Sequence, residues 1–160
     1  MITRANEAMN SKQLNILLAD DDIDDCKFFI EALEGVPIST HLTTVGDGEQ
    51  LMKYLSENSE HLPDVLFLDL NMPRKNGFEC LAEIKLSDKL QALPIVVFST
   101  SFEQQVVNLL YQNGAQHFIR KPSEFSQFKR IILKTLTLIA EKNSLQPTKE
   151  DFVITLDAVL

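Results

Sequence analysis

Residues 14–22 read LNILLADDD, a short apolar run broken off by three consecutive aspartates. A run of that length, ended so abruptly, reads as a buried strand. Beyond it, Cys26, Phe29, Ile30 and Leu33 recur at helical spacing. Asp22 stands at the N-cap of that pattern, and Gly35 stops it ahead of Pro37. The order is strand, then helix.

The unit repeats along the chain. Residues 38–45 (ISTHLTTV) are β-branched and strand-like, and Gly46, Asp47 and Gly48 turn into a helix with Leu51, Tyr54 and Leu55 inward. Val65 to Leu68 form a buried strand ending at Asp69, and after a loop from Pro73 to Gly77 a helix carries Phe78, Leu81 and Ile84. A fourth strand, Ile95 to Phe98, leads through Ser99, Thr100 and Ser101 to a helix that turns Val106, Leu109 and Leu110 inward and ends at Gly114. Val107 and Tyr111 fall off that stripe, on a surface open to a partner or to a dimer. A brief fifth strand, His117 to Arg120, passes through Lys121 and Pro122 into a last helix, with Ser123 as its expected cap and Glu124 in its first turn. That helix buries Phe125, Phe128, Ile132 and Leu136. Five strands alternating with five helices predict a parallel sheet covered on both faces, a doubly wound α/β domain, because parallel strands need right-handed crossovers.

The composition sets bounds. A chain of 160 residues suits one domain with its own core, here residues 14–140, preceded by a flexible leader at 1–13 and followed by an extension at 141–160. The net charge of −8 argues against a nucleic-acid partner, which needs clustered Lys and Arg. Cys26 and Cys80 lie in apolar-patterned segments without a CxxC or Cys/His cluster and read as core residues. His41, His61 and His117 have no ligand spacing. The leader has no apolar core for a signal peptide, and no apolar run approaches membrane-spanning length, so a cytoplasmic protein is expected.

In an open α/β sheet, sites form outside the carboxyl ends of the strands. Here those ends carry Asp20 and Asp21, Asp69, Ser99 and Lys121, each polar after an apolar run. Three converging carboxylates repel one another, and a divalent cation removes the conflict. Oxygen ligands without His or thiolate suit Mg²⁺, with coordination near about 2.1 Å. A carboxylate beside Mg²⁺ can attack a phosphoryl group, while the Lys121 ammonium and Ser99 hydroxyl stabilise the phosphoryl oxygens.

These residues closely resemble response-regulator receiver domains, through ILLADDD at 16–22, FLDLNMPRKNG at 67–77, LPIVVFSTS at 93–101 and FIRKP at 118–122. The resemblance implies a flavodoxin-like sheet of order 2-1-3-4-5. It implies Asp69 as phosphoacceptor, Asp20 and Asp21 as the acidic pair on Mg²⁺, and Asn71 as the residue lending a backbone carbonyl. Ser99 and Lys121 match the phosphate-sensing pair, and Ser99 with Phe118 the switch, which remodels the face of helix four, strand five and helix five. Ser99 stands where the family more often has Thr, and Phe118 where Tyr is more common. The implied role is a phosphoacceptor in a two-component system, with at most slow self-dephosphorylation rather than enzymatic turnover. Its partners would be a sensor histidine kinase or phosphotransfer protein and a downstream protein target. A phosphorelay intermediate and a phosphorylation-independent scaffold are the alternatives.

Two rivals fit less well. A haloacid-dehalogenase-type phosphatase places an acid two positions after the nucleophile, where this chain has Asn71. A flavodoxin-like cofactor binder would not place three aspartates in its phosphate loop. The extension after helix five is too short for an output domain, which resembles the single-domain regulators, and MPRKNG with such an extension resembles the group paired with phytochrome-type kinases. Residues 145–160 read either as a strand through DFVITL or as a helix capped by Thr148. Their apolar residues, Phe152, Val153, Ile154, Leu156, Val159 and Leu160, need burial on the chain itself or on a second subunit.

Overall fold

The computed structural model describes residues 13–141 and 146–156. Nearly all of the leader, the start of the extension, and Val159 and Leu160 lie outside those residues. Five β/α units run in order: β1 Leu14–Ala19 and α1 Ile23–Glu34; β2 Thr40–Val45 and α2 Gly48–Glu57; β3 Val65–Leu68 and α3 Gly77–Leu86; β4 Ile95–Ser99 and α4 Gln104–Gln112; β5 His117–Arg120 and α5 Phe125–Ala140. The sheet is parallel throughout in the order β2-β1-β3-β4-β5-β6. The doubly wound α/β fold is as read from the alternation.

The counts differ from the expectation by one strand and one helix, because both readings of the C-terminal segment occur in succession. Thr148 precedes a single helical turn, α6 Lys149–Phe152, and the chain then straightens into β6 Val153–Ile154 along β5. Phe152 and Ile154 are buried against their own chain.

Strands β3 and β4 are buried along their whole length, as expected of a sheet covered on both sides. One apolar layer joins the sheet to α2, α3 and α4, and the other joins it to α1 and α5. In the second layer, Phe29 meets Phe67 edge to face at 4.9 Å, and Phe98 meets Phe128 at 5.3 Å. Each such pair adds about 0.5–1.5 kcal/mol beyond area burial. Phe67 and Phe98 lie just ahead of Asp69 and Ser99, so this packing fixes the rim that carries the polar strand ends.

Several local expectations are corrected. On α4 the inward residues are Val107 and Leu110, while Leu109 is 47% exposed. The C-terminal segment covers the flank bearing Tyr111, whose ring lies 5.1 Å from that of Phe152, and so sets which arc of the helix is buried. Ile30 and Phe125 are partly exposed; Phe125 opens its helix and leans on Phe28 at 5.9 Å. Glu124, not Ser123, occupies the α5 cap position, without a side-chain cap bond. Strand β2 starts at Thr40, two residues later than read. Gly114, just past α4, has φ +92, a left-handed conformation that favours glycine.

Both cysteines are free. Burial pushes each thiol up to about 11, which leaves them neutral and inert at physiological pH.

Candidate functional site

Parallel strands bring all their carboxyl ends to one rim. Strands β1 and β3 pair with Ala19 opposite Leu68, so Asp20 and Asp69 follow side by side, and the Asp69 amide donates to the Ala19 carbonyl at 3.0 Å. One strand further on, the Lys121 amide donates to the Ser99 carbonyl at 2.8 Å. Asp21 is exposed at the mouth, whereas Asp20 and Asp69 are only 2% and 6% exposed.

The carboxylate oxygens of Asp20, Asp21 and Asp69 lie within 4.8 Å of one another. The Lys121 ammonium donates to Asp20 Oδ2 at 2.9 Å and Asp25 Oδ2 at 2.7 Å, lies 3.7 Å from Asp69 Oδ1, and sits 5.2 Å from the centre of the Phe98 ring. Burial raises the Asp69 carboxyl to about 6, with Asp20 and Asp21 adding to the rise and Lys121 opposing it. Asp20 is raised as well, chiefly by burial. For Lys121, burial alone would lower the ammonium, but its hydrogen bonds to Asp25 and Asp20 prevail and hold it charged. Neighbouring carboxylates disfavour each other's ionisation, and a cation among them relieves this.

Asp25 was missed by sequence reasoning, which gave a role only to Asp22, at the cap of the same helix. Asp22 does cap α1, accepting from the amides of Asp24 and Asp25 at 2.8 and 3.2 Å. Asp25 sits in the first turn of α1, where a side chain can reach back over the end of β1. That position, five residues after Asp20 and just inside a capped helix, was the available signal.

Ser99 is fully buried, and its Oγ accepts from the Ser101 amide at 3.2 Å, which leaves the hydroxyl proton as a donor. The Asn71 amide faces Asp69 Oδ1 at 3.5 Å. Phe118 is fully buried, its ring 5.8 Å edge-on to Phe102. Asp20, Asp21, Asp69 and Lys121 thus form one cluster, with Ser99 beside it on the rim and Phe118 on the strand that leads into Lys121.

The loop after β3 is tightly folded behind Asp69. Arg74 adopts φ 68, unusual for a side chain other than glycine, and its guanidinium lies 3.4 Å from Asp47. The Gly77 amide donates to the Leu70 carbonyl at 3.0 Å, and a Cβ on Gly77 would stand 2.5 Å from the Asp69 carbonyl oxygen. Gly77→Ala is therefore expected to shift the end of β3 and cost about 1–3 kcal/mol in urea denaturation.

Asp20, Asp21 and Asp69 suit a hard divalent cation, since all the ligand atoms are oxygens. Among the described residues no other group of His, Cys, Asp and Glu is arranged to hold a metal.

The profile of the response regulator receiver domain matches residues 16–133, and the chain belongs to that family of two-component signalling proteins. It is 31% identical over 136 residues to response regulator Rcp1 of a Synechocystis strain, covering 78% of this chain and 92% of that one. The crystal structure of the phosphorylated cyanobacterial phytochrome response regulator RcpA superposes with a TM-score of 0.75 at 32% identity, over 82% of this chain and 96% of that one. The Mn²⁺-bound form of Rcp1 superposes with a TM-score of 0.71 at 28% identity, over 84% and 99%.

Proposed function

We propose that this chain is a single-domain response regulator that accepts a phosphoryl group on Asp69 in a Mg²⁺-dependent reaction and signals by changing a protein-binding surface. The observation that carries this reading is the buried Asp20, Asp69 and Lys121 cluster with exposed Asp21 at its mouth. Asp69, the buried carboxylate that follows β3 and lies 3.7 Å from the Lys121 ammonium, acts as the nucleophile.

In the transfer, an Asp69 carboxylate oxygen forms a bond to phosphorus while the bond from phosphorus to the donor breaks, and the donor leaves with that electron pair. Lys121 neutralises a phosphoryl oxygen, and the Ser99 hydroxyl donates to another. Mg²⁺ would be held by Asp20, Asp21, Asp69 and the Asn71 backbone carbonyl, and when bound supplies charge neutralisation to the carboxylates and the phosphoryl oxygens. Asp25 positions Lys121 through its hydrogen bond and does not touch the phosphoryl group.

The donor would be a sensor histidine kinase or a phosphotransfer protein, and the output a contact with a downstream protein, in the cytoplasm. The similarity to phytochrome response regulators supports a kinase of that type. Phosphorylation brings about −1.5 to −2 charges into a site that already holds carboxylates, so uptake should depend strongly on the cation. Labelling by acetyl phosphate is expected with Mg²⁺ and should vanish in excess chelator. Persistent labelling without divalent cation would remove the acidic cluster from the account.

A further inference from the structure

The Lys121 ammonium has three N–H groups and three carboxylates around it. Its shortest bond, 2.7 Å, goes to Asp25, which stands outside the group of Asp20, Asp21 and Asp69 suited to a cation. Asp20 takes a second bond at 2.9 Å, and Asp69 stays at 3.7 Å, beyond hydrogen-bond distance. The Phe98 ring covers another side at 5.2 Å. The lysine side chain is almost wholly enclosed, so the ammonium is divided chiefly among these groups rather than shared with bulk water.

The two bonded partners differ in what holds them. Asp20 follows β1, its side chain is fully enclosed, and its other oxygen accepts from the Asp22 amide at 2.9 Å. Without the ammonium it would be a buried charge short of a partner. Asp25 belongs to α1, and its side chain is a quarter exposed. It lines an open cleft with Thr100, Pro122 and Ser123, so water can solvate its carboxylate when the ammonium turns elsewhere. Asp25 is therefore the exchangeable partner.

A phosphoryl group on Asp69 brings about −1.5 to −2 charges to a lysine that already gives its shortest bond to Asp25. A bond from the ammonium to a phosphoryl oxygen then comes at the expense of that short charged bond, and the phosphoryl charge repels the Asp25 carboxylate as well. Both effects oppose the phosphorylated state. For a divalent cation among the carboxylates the sign reverses. Asp25 adds negative charge to the rim and draws the ammonium away from Asp69, whose oxygens are then free for the cation.

We infer that Asp25 is a positioning residue that competes with the phosphoryl group for the Lys121 ammonium, weakening the phosphorylated state while strengthening cation binding in the unphosphorylated one. The inference rests on the Asp69 reading given above. It adds that the balance between the two states is set in part by a residue on α1 that touches neither phosphorus nor metal.

Calorimetry on the full chain tests the two halves separately. With Mg²⁺ alone as the ligand, Asp25→Asn should bind several-fold more weakly than wild type. With beryllofluoride as the phosphoryl mimic at saturating Mg²⁺, the same variant should bind several-fold more tightly. Asp25→Ala should shift both affinities in the same directions. Asp24→Asn removes an equal charge from an exposed neighbour in the same helical turn, and should leave both affinities close to wild type. A merely structural part for Asp25 would weaken both ligands together, and that result would overturn the inference. So would mimic affinity no higher than wild type in Asp25→Asn, or an equal shift in Asp24→Asn, which would reduce the effect to net charge. Failure of wild type to take up the mimic at all would instead bring down the Asp69 reading and the inference with it.

Discussion

Asp69→Asn is expected to make the chain more stable at neutral pH while abolishing phosphoryl uptake. The carboxylate is buried beside Asp20 and Asp21, and its pKa rises to about 6 from the ordinary 3.8. Because the native value lies above the unfolded one, the folded state takes up the proton first, and ionised Asp69 opposes folding above pH 6. The opposition fades as pH falls through 6 and is gone below the unfolded value. At neutral pH it amounts to roughly 1–3 kcal/mol. The amide has the same shape and no charge, so urea denaturation in chelator should show the variant ahead near about pH 7.5, with the gap closing toward about pH 4.5. Saturating Mg²⁺ should narrow or reverse the gap, since wild type gains binding free energy that the variant lacks. A variant less stable than wild type at neutral pH in chelator would mean that the rim carboxylates do not repel one another.

Lys121→Met should act in the opposite direction. The ammonium bridges Asp20 and Asp25 and neighbours Asp69, and it is almost wholly enclosed. Replacing it leaves buried acidic groups without their cation, a loss of about 3–5 kcal/mol when one partner of a buried pair is removed. Methionine keeps most of the side-chain volume, so the loss is electrostatic rather than a packing defect. Mg²⁺ should restore part of the stability, because it offsets the same repulsion, and should leave phosphoryl uptake impaired. A change within about 0.5 kcal/mol, the usual range for an exposed residue, would mean that Lys121 does not neutralise the cluster.

The two substitutions remove charges of opposite sign from one cluster, and their opposed effects follow from the arrangement that the sequence pattern implied. Asp20, Asp21, Asp69, Ser99 and Lys121 were legible because each is a polar residue at or just past the carboxyl end of a strand read from its apolar run, and a parallel sheet must bring such positions to one rim. Helix α1 was legible in its cap, since Asp22 takes the backbone bonds that its position predicts. Asp25 was not, because in one dimension an acidic residue in a first helical turn looks the same whether it serves the helix ends or a lysine 96 residues away.

The inward face of α4 was misread for a related reason. Periodicity locates an apolar stripe but not the body that covers it, and here part of that body is the C-terminal segment, whose Phe152 packs on Tyr111. That segment itself resisted a single assignment because it is too short for either period to establish itself. Tertiary contacts with β5 and α4, rather than local propensity, decide that it turns once as a helix and then extends as a strand.

The most direct check on the central claim is to locate the phosphoryl group. Incubation with acetyl phosphate and Mg²⁺, followed by intact mass measurement and peptide mapping, should find a single phosphoryl adduct, in the peptide containing Asp69, absent from Asp69→Asn and absent in excess chelator. An adduct on any other residue, or an equal adduct on Asp69→Asn, would contradict the account.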